Sequence, residues 1–150
     1  MTLEERLASC RTIIDDPSFP TVKEWKQRHA NGHVVGMFPV YAPLELPHAA
    51  GMLPVGLYGA GGRVEIDHAD SRIQSFVCSI ARSTLELGLR DMLADFDALW
   101  FPSICDVARN LSGIWQANFP NQRAEYIHFP QNMTSAAAPV HYRSELQRLL

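Results

Sequence analysis

The sequence predicts an α/β fold, with a Rossmann-like parallel sheet of about four strands that has helices on both faces and is preceded by N-terminal helices. Apolar runs typical of buried strands recur along the chain, and each is followed by a proline or glycine and then by a helical segment. Strands that alternate with helices favour parallel pairing through right-handed crossovers. The length of 150 residues and the 47% hydrophobic content correspond to one domain with a sizeable core.

Two helices are expected before the first strand. Residues 2–14 place apolar side chains at helical spacing, namely Leu3, Leu7, Cys10 and Ile14. A turn rich in Asp and Pro, "DDPSFP", leads to a second short helix over residues 22–29, which Asn31-Gly32 would end. Because Cys10 lies on the apolar stripe of the first helix, we expect it to be a core residue.

Strands and helices alternate in the rest of the chain. The predicted strands lie in "HVVGMFPVY", "MLPVGLYG", "DALWFP" and "EYIHFP". The predicted helices lie in "PLELPHAAG" and in residues 79–93, 106–117 and 136–150. The segment "GAGGRVEIDHADS" is predicted to be a flexible connection. Ligands of such sheets bind beyond the carboxyl ends of the strands, and both "WFPSICD" and "IHFPQN" cross such an end.

Charge and hydropathy argue against several classes of function. The chain has 13 Lys and Arg against 16 Asp and Glu, a net charge of −3 without clusters, so we expect no nucleic-acid partner. It lacks an apolar run of about 18 residues, and its acidic N-terminus differs from a signal peptide, so we expect no membrane association. The expected location is the cytoplasm, where thiols stay reduced, and three cysteines are then core residues, metal ligands or reactive groups.

Two of the cysteines begin the same motif. Cys78 and Cys105 each start a Cys-x-x-x-Arg sequence at the beginning of a predicted helix, and Arg82 and Arg109 follow one turn later. A helix N-terminus and a nearby guanidinium both stabilise a thiolate, which is the form that binds metals or attacks electrophiles. From the residues alone, packing and chemistry are equally open as roles for this pair.

A metal site would need further ligands, and proton transfer would need an acid and a base. The histidines available as a third zinc or iron–sulfur ligand are His48, His68 and His128, although lone histidines are usually structural. Glu45 and His48 lie three residues apart in a short predicted helix and could transfer protons, but a solvated helix start explains them nearly as well. The motifs GxxxxGK[ST], GxSxG and HExxH are absent from the sequence.

Four segments resemble one known family. They are "PVYAPLELPHAAGMLPVGLYG", "QSFVCSIARSTLELGL", "DALWFPSICDVARNLSGIW" and "YIHFPQN". Together they are similar to the N-terminal part of the large subunits of benzoyl-CoA reductases and 2-hydroxyacyl-CoA dehydratases, and "FPSICDVARNLSG" resembles the benzoyl-CoA reductase C subunit most. The resemblance covers nearly the whole chain.

The resemblance implies a redox function. In this family, the cysteines at the positions of Cys78 and Cys105 ligate a 4Fe–4S cluster, and a third cysteine ligand comes from a second domain. An ATP-hydrolysing iron–sulfur activator subunit supplies a low-potential electron, which passes through the cluster to an acyl-CoA thioester. The reductases convert the aromatic ring to a cyclic diene, whereas the dehydratases remove a 2-hydroxyl group. A homologous large subunit is the expected partner.

The roles of nearby polar residues are our own hypotheses and not properties of the family. Arg82 and Arg109 would lie near the cluster and offset its negative charge. Glu45 and His48 fall inside a matching segment, and we expect them to supply protons.

The family's subunits are more than twice as long as this chain. Cys10 matches no ligand position, so the third cluster ligand is missing from these 150 residues. We therefore expect residues 1–150 to be the N-terminal cluster-binding domain of a longer subunit, truncated before its second domain and inactive alone. Three alternatives remain: a 2-hydroxyacyl-CoA dehydratase subunit, a non-catalytic α/β assembly module, and a zinc or thiol site that uses His128.

Overall fold

A four-stranded parallel sheet is the centre of residues 1–149, the part of the chain that the structure, a computed structural model, describes. The strands are β1 (Val34–Met37), β2 (Leu53–Gly56), β3 (Ala98–Pro102) and β4 (Arg123–Ile127). Their order across the sheet is β2-β1-β3-β4, and every neighbouring pair is parallel. The predicted α/β class and the parallel sheet are confirmed.

Helices fill the intervals between the strands. They are α1 (Leu3–Asp15), α2 (Pro20–Arg28), α3 (Glu45–Ala49), α4 (Ser79–Leu89), α5 (Asp106–Asn118) and α6 (Ala138–Leu149), with a short 3₁₀ helix at Ala69–Ser71. α4 ends four residues before the predicted boundary because Asp91 adopts a left-handed conformation, with φ of 60°. None of the helices in residues 1–149 has the length and apolarity needed to cross a bilayer.

The two faces of the sheet carry separate apolar clusters. On one face, Leu99 and Phe101 of β3 belong to a cluster with Leu85 of α4 and with Leu111 and Trp115 of α5. On the other face, alternate strand residues pack with α3 and α6, namely Val35, Met37, Trp100 and Ile127 with Leu46 and Leu149. This alternation is the period of two that a strand imposes on its side chains. Helices therefore cover both faces, as predicted.

The first helix lies outside this core, and the prediction for Cys10 is wrong. No residue of α1 is buried, and Cys10 is exposed. The apolar stripe exists, but within residues 1–149 no element covers it, and Leu3 and Ile14 are 72% and 73% exposed. An ion pair of 2.6 Å between Asp15 and Arg63 joins the end of α1 to the rest of the molecule.

The connection between β2 and α4 is packed against α4, contrary to the predicted flexibility. Ala60 and Ala69 are buried, and Ile73 is 6% exposed. The carboxylates of Asp70 and Glu86 link this connection to α4 through hydrogen bonds. Gly59, Gly61 and Gly62 of "GAGG" have positive φ angles, and these allow the chain to turn while it remains packed on the domain.

Candidate functional site

Cys78 and Cys105 occupy the same position in two helices. Cys105 is the N-cap of α5, where its Sγ accepts a hydrogen bond of 3.5 Å from the backbone N–H of Ala108. Cys78 is the N-cap of α4, and its side chain makes no capping bond. Both thiols are free and exposed. The structure thus confirms that both cysteines stand at helix starts, where the amide dipoles favour a negatively charged sulfur.

The topology brings both helix starts to one edge of the sheet. α5 begins just after the carboxyl end of β3, and Cys105 lies between them. α4 ends shortly before the amino end of β3, so the opposite end of the helix, with Cys78, is directed towards the carboxyl edge. The two helices share the same apolar cluster and contact each other. Both thiols are consequently on adjacent crossovers at the edge where α/β sheets bind ligands.

The neighbouring strands β1 and β3 form the topological switch point of the sheet. The segment after β1 leads to α3 on one face, and the segment after β3 leads to α5 on the other. Chain segments that diverge to opposite faces leave a crevice between them, which is the usual ligand site of this architecture. Cys105 is at this crevice.

Each arginine of the Cys-x-x-x-Arg motifs has a carboxylate partner. Arg82 binds Asp70 in a bidentate arrangement, with contacts of 2.7 to 2.9 Å, and its side chain is 22% exposed. Arg109 contacts Asp106 at 3.0 Å, and these side chains are 60% and 84% exposed. An exposed pair of this kind holds its partners weakly. The guanidinium group of Arg109 is therefore held less tightly than that of Arg82, and it can move more easily towards a group bound at Cys105.

Glu45 and His48 both lie on α3, and both are exposed. No hydrogen bond joins them to each other within residues 1–149. Glu45 instead influences α6, since burial, and secondly the negative charge of Glu45, raise the pKa of Tyr142. α3 follows β1 in the chain, and its residues Leu46 and Pro47 line a cavity together with His33 and Asp97, which precede β1 and β3. Their role in proton transfer stays a prediction.

The three histidines considered as additional ligands have separate environments. The Nδ1 atom of His68 is 2.8 Å from Oε1 of Glu86. His128 uses its backbone, donating to Glu145 and accepting from His141. His48 stays on α3. Within residues 1–149, no group of three or more His, Cys, Asp or Glu side chains is placed to hold a metal ion.

The two thiols are suitable donors for an iron–sulfur cluster but are an incomplete set. Thiolates are the usual protein ligands of such clusters, and four iron atoms need more than two protein ligands. Cys78 and Cys105 are the only cysteines at this edge in the described residues, because Cys10 is on α1. A further cysteine ligand at this edge would have to come from outside residues 1–149.

The sequence reasoning missed an apolar surface around the two thiols. Phe76 is 87% exposed, and Ile80 and Ile104 are each 38% exposed. These residues lie within two positions of Cys78 or Cys105 in the sequence. Exposed apolar groups beside a functional site are typical of a surface that another protein or domain covers. The signal was available in "SFVCSI" and "SICDV", which contain more apolar residues than the core takes up, since Val77 and Val107 pack against it while Phe76, Ile80 and Ile104 remain exposed.

A hydrogen-bonded pair of loops supports this edge. The loop after β3 contacts the loop after β4, because the backbone N–H of Phe129 donates to the Ser103 hydroxyl at 2.8 Å. The N–H of Ser103 also donates to the carbonyl of Ile127 at 2.8 Å. Ser103 therefore fixes the segment that leads to Cys105.

Comparison with known proteins assigns this arrangement to a family. The family model described as 2-hydroxyglutaryl-CoA dehydratase, D-component, matches residues 39–150. The chain belongs to this family. The matched region includes both Cys-x-x-x-Arg motifs and excludes α1 and α2, and the resemblance inferred from the sequence is confirmed.

Members of the dehydratase family with substantial identity include subunits of two kinds of enzyme. The C subunit of the benzoyl-CoA reductase of Thauera aromatica is 41% identical over 149 residues, which are 99% of this chain and 39% of that protein. The beta subunit of the lactoyl-CoA dehydratase of Anaerotignum propionicum is 31% identical over 118 residues, 79% of this chain and 31% of that protein. This chain therefore spans about two fifths or less of the length of these curated relatives.

Proposed function

We propose that this chain is the N-terminal α/β part of a subunit of an ATP-dependent benzoyl-CoA reductase, and that Cys78 and Cys105 ligate a 4Fe–4S cluster in the full-length subunit. The observation that carries the proposal is the placement of both thiols at the N-termini of adjacent helices on one sheet edge. The identity of 41% to the benzoyl-CoA reductase C subunit over nearly the whole chain favours this member of the family.

The protein residues would hold the cluster and adjust its charge. Both thiolates are at helix N-termini, whose amides favour negative charge, and the Ala108 N–H donates directly to the Cys105 sulfur. The weakly held Arg109 would offset part of the negative charge of a cluster with thiolate ligands. The chemistry that the cluster supplies when bound is the transfer of low-potential electrons to the ring of an aromatic acyl-CoA thioester, which gives a cyclic diene.

Glu45 and His48 are proposed to act as proton donors. Both are exposed on α3, the helix that follows β1, so solvent protons reach them directly. Reduction of an aromatic ring consumes protons as well as electrons, and a carboxyl and an imidazole are the common carriers.

The proposed partners are a homologous large subunit and the ATP-hydrolysing iron–sulfur activator subunits, in the cytoplasm. The relatives above are each named as one subunit of an enzyme. The exposed side chains of Phe76, Ile80 and Ile104 support the proposal that a partner covers the surface around the thiols. Such a partner would also exclude water from the cluster.

Iron and acid-labile sulfide analysis tests the proposal. The protein is purified anaerobically in two forms, as residues 1–150 alone and as the product of the full reading frame that contains them. We expect about four iron atoms per full-length subunit, and substantially less iron in the isolated residues because two thiolates do not complete the site.

Three serine substitutions in the full-length protein identify the ligands. Cys78→Ser and Cys105→Ser should each remove most of the iron, whereas Cys10→Ser should leave the iron content unchanged. Cys10 is the matched control, because it is an equally free and exposed thiol on a helix outside the site. A full-length protein without iron, or one that keeps its iron in the Cys78→Ser, Cys105→Ser double variant, would contradict the proposal.

A 2-hydroxyacyl-CoA dehydratase subunit is the second candidate. The matching family model is described by a dehydratase, and a lactoyl-CoA dehydratase subunit is among the relatives. The assembled enzyme distinguishes the two functions by its product. A cyclic diene from benzoyl-CoA supports the reductase, whereas an enoyl-CoA from a 2-hydroxyacyl-CoA supports the dehydratase.

A further inference from the structure

Two charged residues of α4 and its C-cap, Arg90, bind the connection that precedes this helix. Arg82, Glu86 and Arg90 are four residues apart, so they lie on one side of α4. Asp70 binds Arg82, the backbone of residues 68–69 binds Glu86, and Arg90 donates to Asp67 and to the carbonyl of Glu65. The connection therefore runs antiparallel to α4 and is bonded to it at three successive turns.

Glu86 is the central residue of this contact. Its side chain is fully buried, and four donors surround its carboxylate. Oε2 accepts from the backbone N–H groups of His68 at 2.9 Å and Ala69 at 2.8 Å. Oε1 accepts from Arg90 Nε at 2.7 Å and is 2.8 Å from Nδ1 of His68. Burial alone would raise the pKa of Glu86, but these hydrogen bonds lower it to about 2. The carboxylate is ionised at neutral pH.

Burial of a carboxylate does not by itself make a fold more stable. Removing a charge from water costs several kcal/mol, and well-packed apolar residues often replace buried ion pairs without loss of stability. What a carboxylate adds is directional bonding to two consecutive backbone amides, which apolar packing does not provide. The arrangement at Glu86 fixes the path of the connection.

The path fixed at Glu86 continues to Cys78. The Ile73 N–H donates to the carbonyl of Ala69 at 2.9 Å, and Ile73 is buried. The Val77 N–H donates to the carbonyl of Gln74 at 3.1 Å, and Cys78 follows. Each bonded segment therefore begins close to where the preceding one ends.

We infer that Glu86 is the positioning residue of Cys78: it holds His68 and Ala69 on α4 and so fixes the path by which the chain reaches the thiol at the start of the helix. The inference rests on the proposed function only in naming Cys78 as a cluster ligand. Because Glu86 makes its bonds within the described chain, the positioning exists before any metal binds.

Two measurements on the metal-free chain test this inference. Hydrogen exchange of the His68 and Ala69 amides should become roughly tenfold faster in Glu86→Gln, because the ionised acceptor of both N–H groups is lost. Alkylation of Cys78 by iodoacetamide should become roughly threefold faster, since release of the preceding segment increases the local motion of the already exposed thiol. Cys10 and Cys105 are internal references whose alkylation rates should not change.

A substitution elsewhere separates positioning from general destabilisation. Glu125→Gln removes a carboxylate that binds Arg123 and Arg148 on β4 and α6, far along the chain from Cys78, and should leave all three alkylation rates unchanged. Loss of the helical circular dichroism signal would show whether Glu86→Gln unfolds the protein. In that case the three alkylation rates are measured in His68→Ala instead, a variant that loses one side-chain donor to Glu86. Acceleration confined to Cys78 in this variant supports the inference.

The outcomes distinguish this inference from the proposed function. Unchanged exchange at His68 and Ala69 and an unchanged Cys78 rate in a folded Glu86→Gln variant overturn the positioning role, even if Cys78→Ser removes iron. A Cys78-specific acceleration supports positioning even if the full-length protein holds no iron.

Discussion

Gly59 determines the direction in which the chain leaves β2. Its φ is +77°, a conformation that residues with a Cβ adopt only at a cost. A Cβ at this position would also lie 2.2 Å from Oγ of Ser83. That hydroxyl is already engaged, since it accepts from the Ala60 N–H and donates to the Ser79 carbonyl in the first turn of α4. Gly59 thus allows the connection to approach the beginning of α4 closely.

Gly59→Ala should lower the free energy of unfolding by roughly 2 to 4 kcal/mol, from left-handed strain together with overpacking. Gly62→Ala is the matched control, because Gly62 has nearly the same φ, +78°, with no atom within 4 Å of a built Cβ. It should cost only about 1 kcal/mol. Urea unfolding measures both values, and equal losses would show that the contact with Ser83 contributes nothing.

At the residue scale, the sequence predicted where a residue lies in a helix better than it predicted which side chains that residue contacts. The starts of α4 and α5 at Cys78 and Cys105 followed from local apolar spacing, which depends on residues a few positions away. The partner of Arg82 did not, because Asp70 precedes it by 12 residues and reaches it only through the folded path of the connection. Cys10 was misassigned for a related reason, since an apolar stripe does not reveal whether any element packs on it.

At the scale of elements, the contact between α4 and its preceding connection depends on ionised groups. The carboxylate of Glu86 is bonded to two backbone amides, one arginine and one histidine, and its pKa is about 2, below the ordinary value of 4.5. A group whose pKa is lowered by folding stabilises the protein above its unfolded pKa, and this stabilisation is lost as the pH falls towards the folded pKa. The relevant range is therefore between about pH 4.5 and 2.

Glu86→Gln should be less stable than the wild type at pH 7, by up to roughly 3 kcal/mol, and the difference should shrink as the pH falls from 4.5 towards 2. Urea unfolding of both proteins at a series of pH values measures it. Glu24→Gln, at an exposed residue of α2 without an ion pair in residues 1–149, should give a small difference that does not follow this pH range. A gap between wild type and Glu86→Gln that is constant from pH 7 to 2 would contradict the assignment.

The elements themselves were predicted more reliably than the connection between them. Four strands and six helices follow from the alternation of apolar runs and helical spacing, with ends that differ by a few residues. The connection after β2 was expected to be flexible because glycine and polar residues dominate it. Its order comes from charges in the series Arg82, Glu86 and Arg90, whose partners lie in a segment 12 to 25 residues earlier. The local pattern of apolar and polar residues does not reveal these contacts between distant charged residues.

At the scale of the whole molecule, the fold is organised around the sheet, and α1 is peripheral to it. Both apolar clusters are built from strand residues and from α2 to α6, and neither includes a residue of α1. A capping box between Thr2 and Glu5 stabilises the start of α1 locally.

Deletion of residues 1–12 should therefore change the free energy of unfolding by less than about 1 kcal/mol, because it removes no buried side chain and keeps the ion pair between Asp15 and Arg63. Leu85→Ala sets the scale for a true core change, since Leu85 is fully buried, and it should cost roughly 2 to 5 kcal/mol. Urea unfolding with circular dichroism measures both variants. A loss from the deletion as large as that from Leu85→Ala would mean that α1 packs on the domain in solution. A small loss would show that the sheet, and the edge that carries Cys78 and Cys105, keep their stability without α1.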